Sequence, residues 1–290
     1  MARVETRDPL PFLLQLLDDE SAEIQRILRE EILNHAVDIV MDGRSIRDGL
    51  PGGDRGKFDE LLAALRMNIV ARVLQEIAAA SRDELDLEAG MLALAWWGDP
   101  RMDALAVRGD LDRLARRVGK GMPRSGHPLG FVDHINRVLF REEGFKGNSA
   151  EYYNPENSYL HRVLESRRGI PITLSALHML VAQRLRFPVV GVALPAHFIM
   201  KFDNGVDEIF FDPFHGGKIY SRKTVLDYLS GFEGLDTDAV LRGCSSKEIL
   251  IRMLRNLHVV FSSHHVDPGK VTEIEHLLVL LTGNAPLAGH

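Results

Sequence analysis

The stretch that decides the fold covers residues 154–217 and reads NPENSYLHRVLESRRGIPITLSALHMLVAQRLRFPVVGVALPAHFIMKFDNGVDEIFFDPFHGG. Its first part predicts a helix, followed by a tight Gly-Ile-Pro start to a second helix over residues 171–185. The β-branched and aromatic runs after Pro188 predict strands, and these strands carry His197 and Asp212. We therefore expect a helix packed on a small antiparallel sheet that bears an imidazole and a carboxylate.

The register of that sheet follows from one dipeptide. Asn204-Gly205 is the preferred chemistry of a two-residue type I′ hairpin turn. The predicted pairs are aromatic, apolar and oppositely charged, as sheet stability favours: His197 with Asp212, Phe198 with Phe211, Met200 with Ile209, and Lys201 with Glu208. We expect His197 and Asp212 to be hydrogen-bonded.

A carboxylate beside an imidazole orients the ring and favours its cation, which is the base-and-orienter half of a nucleophilic triad. The surrounding motifs resemble the transglutaminase-like fold of papain-type enzymes, marked by Gly-x-Cys at a helix start, a strand His and a strand Asp-Pro. His197 and Asp212-Pro213 match the last two, and Gly169-Ile170-Pro171 stands where Gly-x-Cys would be. The resemblance implies that Pro171 fills a vacant nucleophile slot facing His197.

Four longer segments are similar to bacterial SirB-type proteins, whose transglutaminase-like core is followed by a tetratricopeptide-like tail. These segments are EEGFKGNSAEYYNPENSYL, RRGIPITLS, PAHF and DPFHGG. With flanking motifs the resemblance covers residues 85–282, and it implies a mostly helical α+β fold. We predict a helical N-terminal region over residues 1–100, the transglutaminase-like core over 101–230, and the tetratricopeptide-like tail over 231–290.

Two hydroxyls lie within one turn of the second helix start. Thr173 or Ser175 would serve as a nucleophile only within about 3 Å of the base, and hydroxyls at a helix start more often cap the helix or satisfy polar groups in the core. The helix is predicted to bury one apolar stripe, with Ser175 and His178 on different faces. The stripe comprises Leu174, Leu177, Val181 and Leu185.

Three further residues complete the set of cleft candidates. His215 follows Asp212 by three positions, but a His-Asp-His group at this spacing is not a recognised cation site, and we predict no metal. Asn157, with Ser158, is predicted to cap helix 159–168. Cys244 is distant along the chain and is expected to be a small buried residue.

The flanks predict helical arms. Apolar spacing over residues 10–40 indicates a helix pair joined by an acidic turn, as in a HEAT-type repeat. The Gly, Asp and Arg content of residues 41–57 predicts a long loop without nucleotide-binding context. Ser245 and Glu248 predict a capping box that opens an antiparallel helical pair. A lone pair should pack back on the core or onto a partner.

Composition narrows the function classes. The net charge of −6 and pI near 6.1 give no electrostatic reason to bind nucleic acid. One cysteine cannot form an internal disulfide, which favours a reducing compartment. The chain lacks a signal-peptide pattern and an apolar run of roughly 18–20 residues, so we expect a cytoplasmic protein without membrane contact. No motif implies a cofactor.

The preserved His197 and Asp212, together with the missing thiol, predict a non-catalytic scaffold or regulatory module that binds a protein through its helical arms. The alternative is a hydrolase or acyl transferase that uses a Thr or Ser hydroxyl, or a water activated by the same pair. A third hypothesis is a small-ligand binder that reuses the cleft.

Overall fold

The computed structural model describes residues 14–79, 86–123 and 126–283. Helices surround a small antiparallel sheet, which confirms the predicted mostly helical α+β class. The helices are α1 (Ala22–Asn34), α2 (Ala36–Gly49), α3 (Gly52–Ala79), α4 (Leu87–Gly98), α5 (Ala104–Lys120), α6 (Pro128–Asn136), α7 (Leu160–Ser166), α8 (Pro171–Arg184), α9 (Arg222–Leu229), α10 (Thr237–Leu241), α11 (Ser246–Val259) and α12 (Pro268–Thr282). The strands are β1 (Lys146–Gly147), β2 (Arg168–Gly169), β3 (Val189–Leu194), β4 (His197–Asp203), β5 (Glu208–Asp212) and β6 (Lys218–Tyr220).

Strands β3 to β6 form the main sheet in chain order, and each pairs antiparallel with the next. The predicted two-residue turn between β4 and β5 is wrong, because Asp203 pairs with Glu208 and leaves a four-residue loop. The Asn204 side chain closes this loop, since its Oδ1 accepts the N–H groups of Val206 at 2.9 Å and Asp207 at 2.7 Å. An Asn that hydrogen-bonds its own following backbone competes with the type I′ turn.

The four predicted cross-strand pairs are therefore wrong, and Met200 lies opposite Phe211 instead. The longer loop moves the register by two residues. Because strand side chains alternate with a period of two, each side chain keeps its predicted face. Lys201 and Glu208 still meet diagonally, with 3.3 Å between Nζ and Oε1.

The two faces of this sheet pack against different cores. Phe198, Met200 and Phe211 point into the large core that includes α8. Ile199 and Phe210 point the other way, into a second core completed by residues of α9 and α10. Odd-numbered residues of β4 and even-numbered residues of β5 point to this second face, and His197 and Asp212 are among them. The sheet thus separates α8 from α9.

Helix α8 is buried on every side from Pro171 to Ala182, so the prediction of a single buried stripe is wrong. The helix contacts α5 on one side, β3 and β4 on another, and α11 on a third. A helix enclosed in this way needs apolar residues around its whole circumference. Thr173, Ser175 and His178 therefore lie in the interior rather than on a solvated face.

The N-terminal helices differ from the prediction in two places. The acidic residues precede α1, and α1 meets α2 directly at His35; residues 10–13 of the predicted pair lie outside the described residues. The predicted loop over residues 41–57 is wrong, because α2 and α3 occupy nearly all of it. Arg47 of α2 forms a bidentate ion pair with Asp59 of α3, at 2.7 and 2.9 Å. Tertiary packing here overrides weak helix propensity.

The C-terminal helical pair packs back on the protein, which is one of the two predicted outcomes. Helix α11 contacts α4 and α8, and α12 contacts α3. The capping box of Ser245 and Glu248 is confirmed. Glu273 of α12 accepts hydrogen bonds from Arg66 of α3 at 2.7 Å and from the indole N–H of Trp97 at 2.7 Å. These contacts join α12, the last described helix, to α3 and α4.

Over the described ranges 14–79, 86–123 and 126–283, every helix is too short or too polar to cross a lipid bilayer. The N-terminal residues considered for a signal peptide lie almost entirely outside these ranges.

Candidate functional site

Asp212 is the centre of the site. It ends β5, its side chain is fully buried, and the 3₁₀ turn Pro213–His215 follows it. Its Oδ1 accepts the backbone N–H groups of Phe214 at 3.0 Å and His215 at 3.3 Å. The sequence Asp-Pro produces this local cap, because the carboxylate accepts the orphan N–H groups of the turn while proline occupies its first position. Oδ1 is thereby fixed, and Oδ2 is left for the site.

His197 is hydrogen-bonded to that second oxygen, with 2.7 Å between Nε2 and Oδ2. This contact confirms the predicted proximity of the two side chains, although the register that was used to predict it is wrong. Burial tends to raise the pKa of Asp212, but the hydrogen bonds from His197 and His215 outweigh it, so the pKa is lowered. An ionised Asp212 can only accept, so Nε2 carries the proton. In the neutral imidazole, Nδ1 is then the basic nitrogen.

The backbone around His197 is held by the C-terminal helical pair. His197 begins β4 directly after the turn Pro195-Ala196, in which Ala196 has a left-handed φ of 54°. Arg252 of α11 donates from Nη2 to the carbonyl oxygens on both sides of this turn, Leu194 at 2.9 Å and His197 at 2.8 Å. A non-glycine residue at positive φ is strained, and the two hydrogen bonds stabilise the turn in that conformation.

Two more side chains reach the same carboxylate oxygen. His215 donates from Nδ1 to Asp212 Oδ2 at 2.7 Å, and the Tyr220 hydroxyl lies 3.3 Å from it. Burial, followed by the charge of Asp212, raises the pKa of Tyr220. Sequence reasoning named His215 but missed Tyr220. Extending the antiparallel pairing to β6 would have found it, because Tyr220 pairs with Phe210 and so shares the face of Asp212.

A pocket of about 260 Å³ opens beside these residues. His197, His215 and Tyr220 form its polar end, and apolar groups of β3, β4 and α9 form the rest. The lining residues are Leu194, His197, Ile199, His215, Tyr220, Thr224, Val225 and Tyr228. The Tyr228 hydroxyl donates to the Pro195 carbonyl at 2.7 Å, which fixes the rim of the pocket to the turn before His197. A ligand of modest size could therefore contact both an imidazole and an apolar wall.

The residues predicted at or near the nucleophile position are buried, unlike the partly exposed residues at the polar end of the pocket. Pro171 is the first residue of α8, as predicted, and is buried. Thr173 and Ser175 are 0% exposed, and in the described part of the chain neither hydroxyl has a hydrogen-bond partner. The pocket beside His197 is lined by none of the three. Whether Pro171 faces His197 stays a prediction.

Asn157, predicted as a cleft residue, does not line the pocket beside His197 and is buried in the loop before α7. Its amide nitrogen donates to the carbonyls of Glu151 at 2.6 Å and Tyr152 at 3.2 Å, and its Oδ1 accepts from Asn148 at 2.9 Å. The predicted capping role is wrong, since α7 starts after Tyr159 and has no side-chain cap. Asn157 instead fixes the loop that precedes the helix, because three satisfied hydrogen bonds tie its buried amide to that loop.

Cys244 lies at the other edge of the sheet. Its backbone N–H donates to the Gly191 carbonyl of β3 at 2.8 Å, and the residue is partly buried rather than fully buried as predicted. Burial raises the pKa of its thiol. A protonated thiol at this edge is no substitute for the missing nucleophile.

Comparison with known proteins agrees with the fold and with the position of the site. Residues 105–255, just over half of the chain, match the family model described as the transglutaminase-like superfamily. The chain belongs to this superfamily. The match includes α8, the whole main sheet and both members of the His197–Asp212 pair.

Among curated proteins, the chain is similar to a UPF0162 protein of Xylella fastidiosa, with 41% identity over 138 residues, which are 44% of this chain and 48% of the relative. A UPF0162 protein of Vibrio cholerae is 28% identical over 153 residues, 52% of this chain and 56% of that protein. F-box only protein 21 of Mus musculus is 38% identical over 134 residues, 43% of this chain and 21% of that protein. The chain thus spans about half the length of the bacterial relatives. No solved structure matches it.

Proposed function

We propose that this chain is a non-catalytic, SirB-type protein-binding module that keeps the His197–Asp212 pair of a transglutaminase-like site without its nucleophile. The last helical pair acts in this proposal as a tetratricopeptide-like arm. Papain-type catalysis requires a nucleophile, a base and an orienting group, so the state of the nucleophile decides between enzyme and binder.

The observation that carries the proposal is the environment of the first turn of α8. The resemblance assigns the nucleophile position to Pro171, the buried first residue of α8, which has no attacking atom. The nearest hydroxyls belong to Thr173 and Ser175, which are 0% exposed. A working nucleophile must lie about 3 Å from its base and must be open to substrate. The strand alternation further supports the proposal, because Phe211 of β5 points toward α8 while Asp212 points away from it.

The helical arms support a protein partner. Helices α3 and α12 pack together and are tied by the ion pair of Arg66 with Glu273, so the N-terminal helices and the tail present one continuous surface. Val259, at the end of α11 in the same helical tail, is 47% exposed. Because contiguous exposed apolar patches mark interaction sites, Val259 is the position at which this proposal puts a contact with the partner.

The proposal is tested by complementing a deletion strain of the source organism under conditions in which the deletion has a phenotype. Wild type and His197→Ala should complement equally, and both should capture the same proteins from a native lysate. Val259→Glu should reduce capture, whereas Val206→Glu, at a site 91% exposed in the β4–β5 loop, should not. Melting temperatures of all four proteins separate binding effects from unfolding. A folded, stable His197→Ala protein that fails to complement would contradict the proposal.

One observation favours a second candidate, a hydrolase or acyl transferase that uses an activated water. His197 is 24% exposed, its orientation is fixed by a buried carboxylate, and it lines a pocket of about 260 Å³. A general base contributes on the order of 10²-fold or more to rate. In the same experiment this enzyme would lose complementation through His197→Ala without a large change in melting temperature.

A further inference from the structure

Three potential metal-ligand atoms converge at the polar end of the pocket. His197 Nε2, Asp212 Oδ2 and His215 Nδ1 all lie within 4.8 Å of one another, and each nitrogen is 2.7 Å from the carboxylate oxygen. Ligand atoms about 2.0–2.1 Å from Zn²⁺ in a tetrahedron lie roughly 3.3 Å apart. A cation could therefore enter the group if each nitrogen–oxygen distance widened by roughly half an ångström and the two nitrogens, which lie within 4.8 Å of each other, came to a similar separation.

The carboxylate is already oriented for monodentate ligation. Its other oxygen is fixed by two backbone N–H groups, those of Phe214 and His215, so Oδ2 alone points at the imidazoles. Outer hydrogen bonds of this kind set the orientation of metal-binding carboxylates. The same 3₁₀ turn that supplies these N–H groups also places His215 beside Asp212, three residues after it.

Oδ2 is crowded with donors. It accepts from both imidazoles and lies within 3.3 Å of the Tyr220 hydroxyl, so three donors converge on one oxygen. A cation bound between the same atoms would take the place of the two N–H protons. Each neutral imidazole would then carry its proton on its other nitrogen, the ordinary tautomer change of a metal-bound histidine. The Tyr220 hydroxyl would remain as a hydrogen-bond partner of the carboxylate or of a water on the cation.

Although the sequence spacing predicted no metal, the geometry leads us to propose that His197, Asp212 and His215 form a binding site for a divalent first-row transition metal ion, such as Zn²⁺. Two imidazoles and one carboxylate suit these ions, whereas Mg²⁺ and Ca²⁺ prefer all-oxygen ligands. Three protein ligands leave at least one coordination position for the pocket, as in open rather than closed sites. His215 is 55% exposed, which gives the ion a path from solvent.

This site goes beyond the proposed function and does not depend on it. A cation held by His197 Nε2 and Asp212 would replace the orienting hydrogen bond of the pair by a coordinate bond. The protein would then present a metal ion, instead of a base, at the polar end of an apolar pocket. A ligand with one metal-binding group, such as a carboxylate, and an apolar body fits both parts of that pocket.

The test uses tag-free protein freed of metal with a chelator. Co²⁺ is added first, because its visible absorption reports the ligand set, and Zn²⁺ is then titrated by calorimetry. We expect one tight ion per chain, a Co²⁺ spectrum that Zn²⁺ abolishes, and a rise in melting temperature on Zn²⁺ addition. His215→Ala should weaken binding by at least about 100-fold, the upper range seen even for outer-shell changes. Because His215 is half exposed, this variant should fold.

The matched control is His258→Ala. His258 also pairs with a carboxylate, Glu275 at 3.2 Å, but it belongs to a two-residue contact on the tail. This variant should bind the ion as wild type does. Circular dichroism confirms that each variant is folded, and Asp212→Asn provides a second ligand change that keeps side-chain shape. Equal Zn²⁺ affinities for wild type, His215→Ala and Asp212→Asn would overturn the site, as would the absence of Co²⁺ absorption. Neither result bears on capture of a protein partner.

Discussion

The two faces of the main sheet hold histidines in opposite environments. On one face, His178 of α8 is fully buried against the rings of Phe211 and Phe140, and neither of its ring nitrogens has a partner among the other described residues. On the other face, His197 is partly exposed and bonded to a buried carboxylate. Adjacent residues of β5, Phe211 and Asp212, make these two contacts. Strand alternation alone therefore separates a desolvated imidazole from one placed for chemistry.

The largest effect on stability is expected for Asp212, because the donors on the polar face of the sheet all depend on this one side chain. Asp212→Ala would leave two imidazoles and two backbone N–H groups without their acceptor, at a cost of about 1–3 kcal/mol for each buried group left unpaired. We expect urea denaturation to show a loss of at least about 3 kcal/mol. Asp227→Ala is the control, because Asp227 forms only an exposed pair with Lys223. Equal stabilities of the two variants would mean that Asp212 does not organise this face.

The burial of His178 on the apolar face of the sheet should make the stability of the protein depend on pH. Burial lowers the pKa of His178 from 6.5 to about 3, against a smaller opposing contribution from its own backbone. Below pH 6.5 the unfolded chain binds a proton that the folded chain does not, so stability is lost as the pH falls from 6.5 toward 3. The slope is about 1.4 kcal/mol per pH unit. The pKa of Asp212 is also lowered, so its contribution to stability is lost only as the pH falls below the ordinary pKa of an Asp side chain, 3.8.

His178→Leu separates these contributions. In this variant, the stability measured by urea denaturation should change between pH 6.5 and 4.5 only through the other titrating groups. Over the same pH range, wild type should lose on the order of 2 kcal/mol more stability than the variant. A control in the same helix, Met179→Leu, should retain the wild-type slope, since it replaces a buried side chain without removing a titratable group. Identical slopes for wild type and His178→Leu would show that His178 finds a polar partner in solution.

Pro171→Cys sharpens the comparison, because it asks whether the two faces meet at the end of the sheet. The 3₁₀ turn that follows Asp212 packs on α8, so the helix start and His197 can approach around the strand end. If they do, the thiol should titrate below the free value of about 8.5, because an imidazolium and a helix N-terminus favour thiolate. In the double variant with His197→Ala the thiol pKa should rise. The same pKa in both variants would mean that Pro171 does not face His197.

The smallest effect is expected for His197→Ala. Asp212 Oδ2 keeps its contact with His215 and lies close to Tyr220 in this variant, so the loss of one hydrogen bond should cost about 1 kcal/mol. Thermal unfolding should thus shift by only a few degrees. A loss as large as that of Asp212→Ala would indicate that the imidazole, rather than the carboxylate, organises the site.

The contact between His197 and Asp212 was predicted correctly from the sequence, although the predicted turn between their two strands was wrong. A four-residue loop replaced the two-residue turn, but a register change of two residues preserves the face of every side chain, so His197 and Asp212 still met. An odd change would have separated them. Tyr220 was missed because the pairing was not extended to β6.

Other features lay beyond sequence patterns. Most of the Gly-rich residues 41–57 are helical because α2 and α3 pack together and bury flanking side chains such as Val40 and Phe58, a tertiary contact that no local propensity encodes. The complete burial of α8 depends on elements from α5 to α11, which surround it only after the chain has folded. Apolar residues at Leu174 and Leu177 were consistent with one stripe, but the polar Thr173 and Ser175 concealed the burial of the other sides.

The contact of Glu273 with Arg66 has a consequence for synthesis of the protein on the ribosome. The two residues are 207 positions apart, and Trp97 likewise forms its hydrogen bond to the Glu273 carboxylate only after α12 has been synthesised. Translation proceeds at roughly 5–20 residues per second, so the N-terminal helices spend on the order of ten seconds or more without the helix that covers them. During that interval their apolar surface is available to chaperones or to other nascent chains. Completion of α12 is therefore the step that ends this exposure.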